Sequence, residues 1–494
     1  MNIKEAKTHI KNAIIAYFEK NDINEYFIPV EKQRPIFLYG PPGIGKTAIM
    51  EQIAEEMGIG LVSYSMTHHT RQSAIGLPFI TKKIYNGKEY DVSEYTMSEI
   101  LASVYEYIEE SGKAEGILFL DEINCVSETL APSMLRFLQY KTFGSHSVPD
   151  GWVVVTAGNP PEFNKSVREY DIATLDRIKK INVEPDYDVW REYAHNQNIH
   201  PAIIAYLDVK KSDFYIIENT PNGKSFVTAR SWEDLSRILW VFENKNIEID
   251  ISLIEQYIQS KTISEDFTDY YETFKKLTNI VSVKDILNGS WCEEHIAHLN
   301  NAGVSEKLGF INVLSNEICS FAKNAVNNNK SIKSIAEFIK DNSLISKTQE
   351  EAVDVLSNFI SELNSADYNK SIYLKETHKQ KEERLAIIDK LTKLKAVISS
   401  ATDDTKPCIT AFLNEKIDEL KIQITDSQSK LTFACEFLQK AFGNSPEIQI
   451  FISNMNTNRY TSLFLMSFGC NGFAQISEND FNETDIIEKL KNII

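Results

Sequence analysis

Three short apolar runs punctuate the first third of the chain, and each stops at a polar residue or a turn. Ile36-Phe37-Leu38-Tyr39 runs into Gly40-Pro41, Gly116-Ile117-Leu118-Phe119-Leu120 into Asp121-Glu122, and Trp152-Val153-Val154-Val155-Thr156-Ala157-Gly158 into Asn159-Pro160. Runs this short, without alternation, predict strands buried on both faces, the pattern of a parallel sheet covered by helices. Gly60-Leu61-Val62-Ser63-Tyr64-Ser65 is a further expected strand, and 47–57 has helical periodicity. Residues 79–85 and 89–92 flank Asn86-Gly87, a strong hairpin signal inside an insert at about 67–95. His68 and His69 are adjacent and point apart, which argues against shared metal ligation.

Beyond residue 186 the apolar spacing becomes helical. Helices are expected at Tyr187–Asn196, 202–207, 230–242 and 253–260, then over 306–362 with Asn/Lys/Ser-rich joints near 327–332. Residues 369–434 read as a helical hairpin. Leu385, Ile388, Leu391, Leu394 and Ile398 mark one face, residues 403–407 the turn, and Leu413, Ile417, Leu420 and Ile424 the return face. The charge run 375–384 reads as a solvated face. Short helices are expected over 445–494 around Phe451, Phe464, Phe468 and Phe473, and residues 1–30 begin with an amphipathic helix.

The chemistry sits at the strand ends. Residues 40–47, Gly40-Pro41-Pro42-Gly43-Ile44-Gly45-Lys46-Thr47, form a complete G-x-x-x-x-G-K-[ST] loop between strand and helix. The glycines let backbone N–H groups curl toward an anion, and the helix N-terminus adds partial positive charge. Lys46 would hold the β- and γ-phosphates of a nucleotide and Thr47 a Mg²⁺ ion. Asp121, about 75 residues after Lys46, is placed to hold the Mg²⁺ shell, and Glu122 to polarise an attacking water. The Asn159 amide can reach both γ-phosphate and water. Arg177, in Leu175-Asp176-Arg177, and Arg230, opening a helix, are candidates for stabilising charge on the transferring phosphoryl group.

This ordered set resembles the AAA+ ATPases over about residues 30–285, and within them the MoxR-like group of the helix-2-insert clade, which also holds the McrB-type GTPases. Asp121-Glu122-Ile123-Asn124, the Ala157-Gly158-Asn159-Pro160 strand end and the Leu175-Asp176-Arg177 triplet carry the finer resemblance. It implies an α/β P-loop core (31–186) and a helical lid (187–285); beyond it the apolar spacing alone predicts an all-α C-terminal extension (286–494). It implies that Asn159 is sensor 1, Arg177 an arginine finger reaching a neighbouring subunit, and Arg230 sensor 2 acting in its own. Arg168 is a second finger candidate. The family usually has Arg where this chain has Cys125, and in rings of the clade such hairpins project toward pore or partner, within reach of Lys82, Lys83 and Lys88.

Composition narrows the function classes. The net charge of −18 disfavours a nucleic-acid surface over the whole molecule and favours protein partners. The six cysteines lack paired spacing, which fits a reducing cytoplasm. No run reaches the length of a membrane span, and the N-terminal segment lacks the apolar core of a signal peptide. Cys292, His295 and His298 step around a helix too widely for one metal ion. The resemblance implies an ATPase with ATP and Mg²⁺ as ligands, forming a ring, hexameric by analogy. Such a ring remodels or chaperones a protein client, in this group often a von Willebrand A domain protein. The alternatives are a nucleoside-triphosphate motor of a restriction complex acting on nucleic acid, with possible GTP preference, and a nucleotide-gated scaffold that barely hydrolyses.

Overall fold

A computed structural model describes residues 1–477 except 69–73, 75, 145, 165, 221, 222, 366–377, 401–404 and 444. His69, the start of the turn at 403–407, the start of the charge run at 375 and the chain after 477 lie outside the described residues. Two compact units emerge. One takes in Met1–Val189 with Thr228–Arg230, and the other most of the remainder.

The first unit is built on a five-stranded parallel sheet. Its strands are β1 (Ile36–Tyr39), β2 (Gly60–Ser65), β5 (Gly116–Asp121), β8 (Trp152–Gly158) and β9 (Lys179–Asn182), in the order β2-β5-β8-β1-β9. Side chains alternate between two cores, as the period of a strand requires. Ile36, Leu38, Phe119 and Val155 are buried against α1 (Ile3–Phe18) and α2 (Lys46–Met57). Phe37, Leu118, Leu120 and Val154 are buried against α3 (Glu99–Ser111) and α4 (Ala131–Tyr140). Full burial on both sides explains why the strands read as continuous apolar runs.

α1 is joined to this core by Ala6, Ile10 and Ile14, four residues apart and fully buried. On its flank Lys7 and Lys11 both reach Glu56 of α2, at 2.7 and 3.0 Å. Between β2 and α3 rises the expected hairpin, β3 (Pro78–Tyr85) with β4 (Lys88–Tyr95). Its turn residues Asn86 and Gly87 both have positive φ, 50° and 77°, which only such residues adopt readily. Lys82 pairs with Glu89 at 3.2 Å and Lys83 with Glu94, while Ile80 and Ile84 are exposed. A smaller hairpin, β6 (Thr142–Phe143) with β7 (His146–Ser147), precedes β8.

The second unit is mostly helical. It also contains a two-stranded hairpin that the helical reading of 187–285 missed, β10 (Ile216–Thr220) with β11 (Gly223–Val227). Two 38-residue helices, Val304–Asp341 and Thr405–Phe442, pack on each other. The joint expected near 327–332 does not exist, because Val304–Asp341 runs through it unbroken. His378–Ser399 packs on both Gln349–Ser365 and Thr405–Phe442. Leu391, Leu394 and Ile398 are fully buried there, as are nearly all of the expected return face. Leu385 is 48% exposed and so does not belong to the face assigned to it. Arg384 is buried and donates to Leu363 O at 2.8 Å, so the charged run is not wholly solvated. Phe451, Phe464, Phe468 and Phe473 are core residues.

Candidate nucleotide site

Parallel pairing aligns the carboxyl ends of the strands. Tyr39 lies beside Gly158, and Ser65 beside Asp121. The loops leaving β1, β2, β5 and β8 therefore meet at one edge, where α/β sheets bind ligands. The loop after β1 is shaped by Gly43 (φ 75°) and Gly45 (φ 89°), left-handed positions that side chains rarely tolerate. Gly45 is followed by Lys46, the first residue of α2, so the free N–H groups of that helix face the loop.

The Lys46 ammonium donates to Gly40 O at 2.7 Å, Pro41 O at 2.8 Å and Asn159 Oδ1 at 2.8 Å. Three acceptors match its three protons. Burial nevertheless lowers its pKa from 10.5 to about 8; Asp121 and Glu122 oppose that shift and Arg230 adds to it. Beside it, Thr47 Oγ1 donates to Asp121 Oδ2 at 2.9 Å, and the other Asp121 oxygen accepts the Glu122 N–H at 2.9 Å. The Asp121 carboxylate is therefore held from two sides.

Glu122 leaves the strand with φ 55°. That turn sends its carboxylate toward the end of β2, where Thr67 Oγ1 donates at 3.1 Å and Ser65 Oγ at 3.3 Å. These two hydroxyls were not anticipated. Their only sequence signal is that a polar pair follows an apolar strand, and the pairing of β2 with β5 is what makes it meaningful. Asn124 is a second unanticipated residue. It is buried, and its amide donates to Asn159 O at 2.8 Å, fixing the backbone that carries the Asn159 amide. Cys125 is a free thiol accepting from Asn164 Nδ2 at 3.3 Å, and burial, Glu122 and Asp121 push its pKa up.

Thr228–Arg230 belongs to the same unit as the nucleotide loop, with Ala229 and Arg230 opening helix Ala229–Lys245. A Cβ placed on Gly43 would lie 3.1 Å from Thr228 Cβ and 3.7 Å from Arg230 Cβ, so this segment lies against the loop. The structure thus gathers Lys46, Thr47, Asp121, Glu122, Asn159 and the Arg230 segment. It does not bring Arg177 to them. That guanidinium is exposed and donates to Ala173 O at 2.6 Å. Arg168 is also at the surface, paired with Glu128 at 2.6 Å. Among the described residues no group of three His, Cys, Asp or Glu side chains is placed to hold a metal ion, and no helix is long and apolar enough to cross a membrane.

The family profile for the ATPase family associated with various cellular activities (AAA) matches residues 36–170. No curated protein sequence matches the chain significantly. Among solved structures, one titled a "putative ATPase" from Cytophaga hutchinsonii ATCC 33406 is similar at 17% identity. The likeness covers 39% of this chain and half of that one, with a TM-score of 0.26. The phosphate loop, the acidic strand end and the family match over β1 to β8 together make residues 36–170 an AAA ATPase domain.

Proposed function

We propose that this chain is a MoxR-like AAA+ ATPase that couples Mg²⁺-dependent ATP hydrolysis, within a ring of its own copies, to remodelling a protein partner. The observation that carries the reading is the meeting of Lys46 with Asn159 and of Thr47 with Asp121 at one sheet edge. The residues fit a small divalent cation. Thr47 and Asp121 offer only oxygen donors, 2.9 Å apart, the set preferred by Mg²⁺. When bound, that ion neutralises charge on the phosphate oxygens of the substrate.

Each side chain then has a task. Backbone N–H groups of 43–47 cradle the phosphates, and Lys46 exchanges its carbonyl acceptors for phosphate oxygens. Glu122 orients and polarises the attacking water once Ser65 and Thr67 release or share its carboxylate. Asn159, already on the Lys46 ammonium, is within reach of the γ-phosphate that Lys46 holds. Arg230 adds positive charge from the same subunit. Arg177, exposed on its own copy, supplies charge to a neighbour's site. Protein contacts are favoured by the charge of −18 and by the large helical unit that follows the ATPase domain.

The test is the solution mass of Glu122→Gln by light scattering, with ATP, with GTP and with neither. The substitution keeps the shape but removes the base, so binding should persist while turnover falls by about 10²–10⁴-fold. A ring-sized particle with ATP alone is the expected result. Assembly with GTP alone would replace this reading with the restriction-type motor. A monomer with bound ATP would overturn the trans role of Arg177.

A further inference from the structure

The run Asn327-Asn328-Asn329-Lys330-Ser331 is an anomaly in the C-terminal helices. Successive asparagines are poor helix formers, because their amides compete for the backbone. Yet the run lies deep inside the unbroken helix Val304–Asp341. Positions where local preference and fold disagree are where function is to be sought. Asn329 sharpens the anomaly. It is 8% exposed, and its amide oxygen finds no donor among the described residues.

The rest of the run, Asn327, Asn328, Lys330 and Ser331, forms one wall of a cleft of about 400 Å³, between Val304–Asp341, His378–Ser399 and Thr405–Phe442. That volume lies within the range of small-molecule sites. Asn328 and Ser331 line it from the first helix, Ala386, Ile387 and Lys390 from the second, and Gln423 from the third. Two carboxylates also line it, and both are paired, Glu383 with Lys330 at 2.7 Å and Glu382 with Lys323 at 3.8 Å. Lys390 differs. It is half-buried, and among the described residues its ammonium meets only a neutral hydroxyl, Ser331 Oγ, at 2.8 Å. Asp389 and Glu419 on one side and Lys393 and Lys416 on the other act on it in opposite directions. Asn328 Nδ2 donates to Gln423 Oε1 at 3.1 Å, which leaves the Gln423 amide protons to donate into the cleft.

We propose that this cleft binds a small organic oxyanion, a carboxylate or a phosphate ester, with its charge on Lys390 and the Ser331 hydroxyl, a hydrogen bond from Gln423, and its short carbon skeleton against Ala386 and Ile387. A half-buried ammonium with no anionic partner gains most from such a ligand, because charge-assisted hydrogen bonds in low dielectric are the strong ones. Three helices would be bridged by one molecule.

The test uses the full chain and three probes, succinate, glycerol 3-phosphate and inorganic phosphate, by calorimetry and thermal unfolding. Wild type should bind succinate or glycerol 3-phosphate, with a rise in unfolding midpoint at saturation. Binding of succinate alone assigns a carboxylate, and of glycerol 3-phosphate alone a phosphate ester. Lys390→Met should weaken binding by about tenfold or more, the weight of a charged hydrogen bond, while Lys390→Arg retains most of it. Should Lys390→Met fail to fold, Gln423→Glu, which faces the ligand with a like charge, must weaken binding in the same way. Equal binding by wild type and Lys390→Met, binding of inorganic phosphate alone, or no binding of any probe at millimolar concentration overturns the proposal.

Discussion

Adding one methyl group at Gly158 tests whether the sensor strand is positioned as described. A Cβ there would stand 2.7 Å from Asn124 Cγ, with Oδ1 nearer still, and 2.9 Å from Phe37 Cε2. Asn124 and Phe37 are each no more than 2% exposed, so neither has free space to yield into. Overpacking costs about 1–3 kcal/mol. Displacing Asn124 also breaks its 2.8 Å bond to Asn159 O and strands buried polar groups, for about another 1–3 kcal/mol. The sum, about 2–6 kcal/mol, lowers the Tm of the ATPase unit by roughly 4–24 °C at 2–4 °C per kcal/mol. Activity should fall further than stability explains, because the Asn159 side chain rides on the displaced backbone. Gly116→Ala is the control. Its Cβ would meet the buried Trp152 ring at 2.7 Å, at the opposite end of the strands from the site, and should lower Tm without lowering kcat per folded molecule. The assays are thermal unfolding by circular dichroism and phosphate release at a temperature where both variants are folded. Gly158→Ala with wild-type Tm and kcat, or the two variants losing kcat equally, would refute the argument that Asn124 sets the position of Asn159.

Two further predictions concern pH. The Lys46 ammonium titrates near 8, and a polyphosphate binds its charged form, so kcat/KM for ATP should fall as pH rises through about 8; a flat profile from pH 7 to 10 would contradict the buried ammonium. In the second unit, burial raises the Glu243 pKa, but His200, Tyr271 and Lys275 outweigh it and hold the carboxyl at about 2. A depressed carboxylate pKa stabilises the fold above its unfolded value of 4.5 and loses that contribution as pH falls toward 2. Glu243→Gln should therefore destabilise by about 2–3 kcal/mol at pH 7, and the gap in urea unfolding should close toward pH 2. A gap independent of pH would place the effect in shape and not in charge.

How much of this was legible in the sequence depended on whether the signal was local. The sheet was legible because burial on both faces leaves β5 and β8 without alternation, and because the polar residues that end them also carry the chemistry. The clasp of Ser65 and Thr67 on Glu122 was not, since it exists only once β2 lies beside β5. Arg230 was placed at the site only through the resemblance, since its closeness to a loop almost two hundred residues earlier has no local signal. The β10–β11 hairpin was hidden by the strong helical periodicity on either side of it. The unbroken helix through Asn327–331 is the most instructive case. Composition argued for a joint there, but the buried positions Ile318, Ala322, Ala325, Asn329, Ile332, Ala336 and Ile339 keep steps of three and four without a break. Asn329 occupies a place in that stripe where an apolar residue would serve stability better. Tertiary burial decided the conformation, and the asparagine run left inside it is what directs attention to the cleft at Lys390.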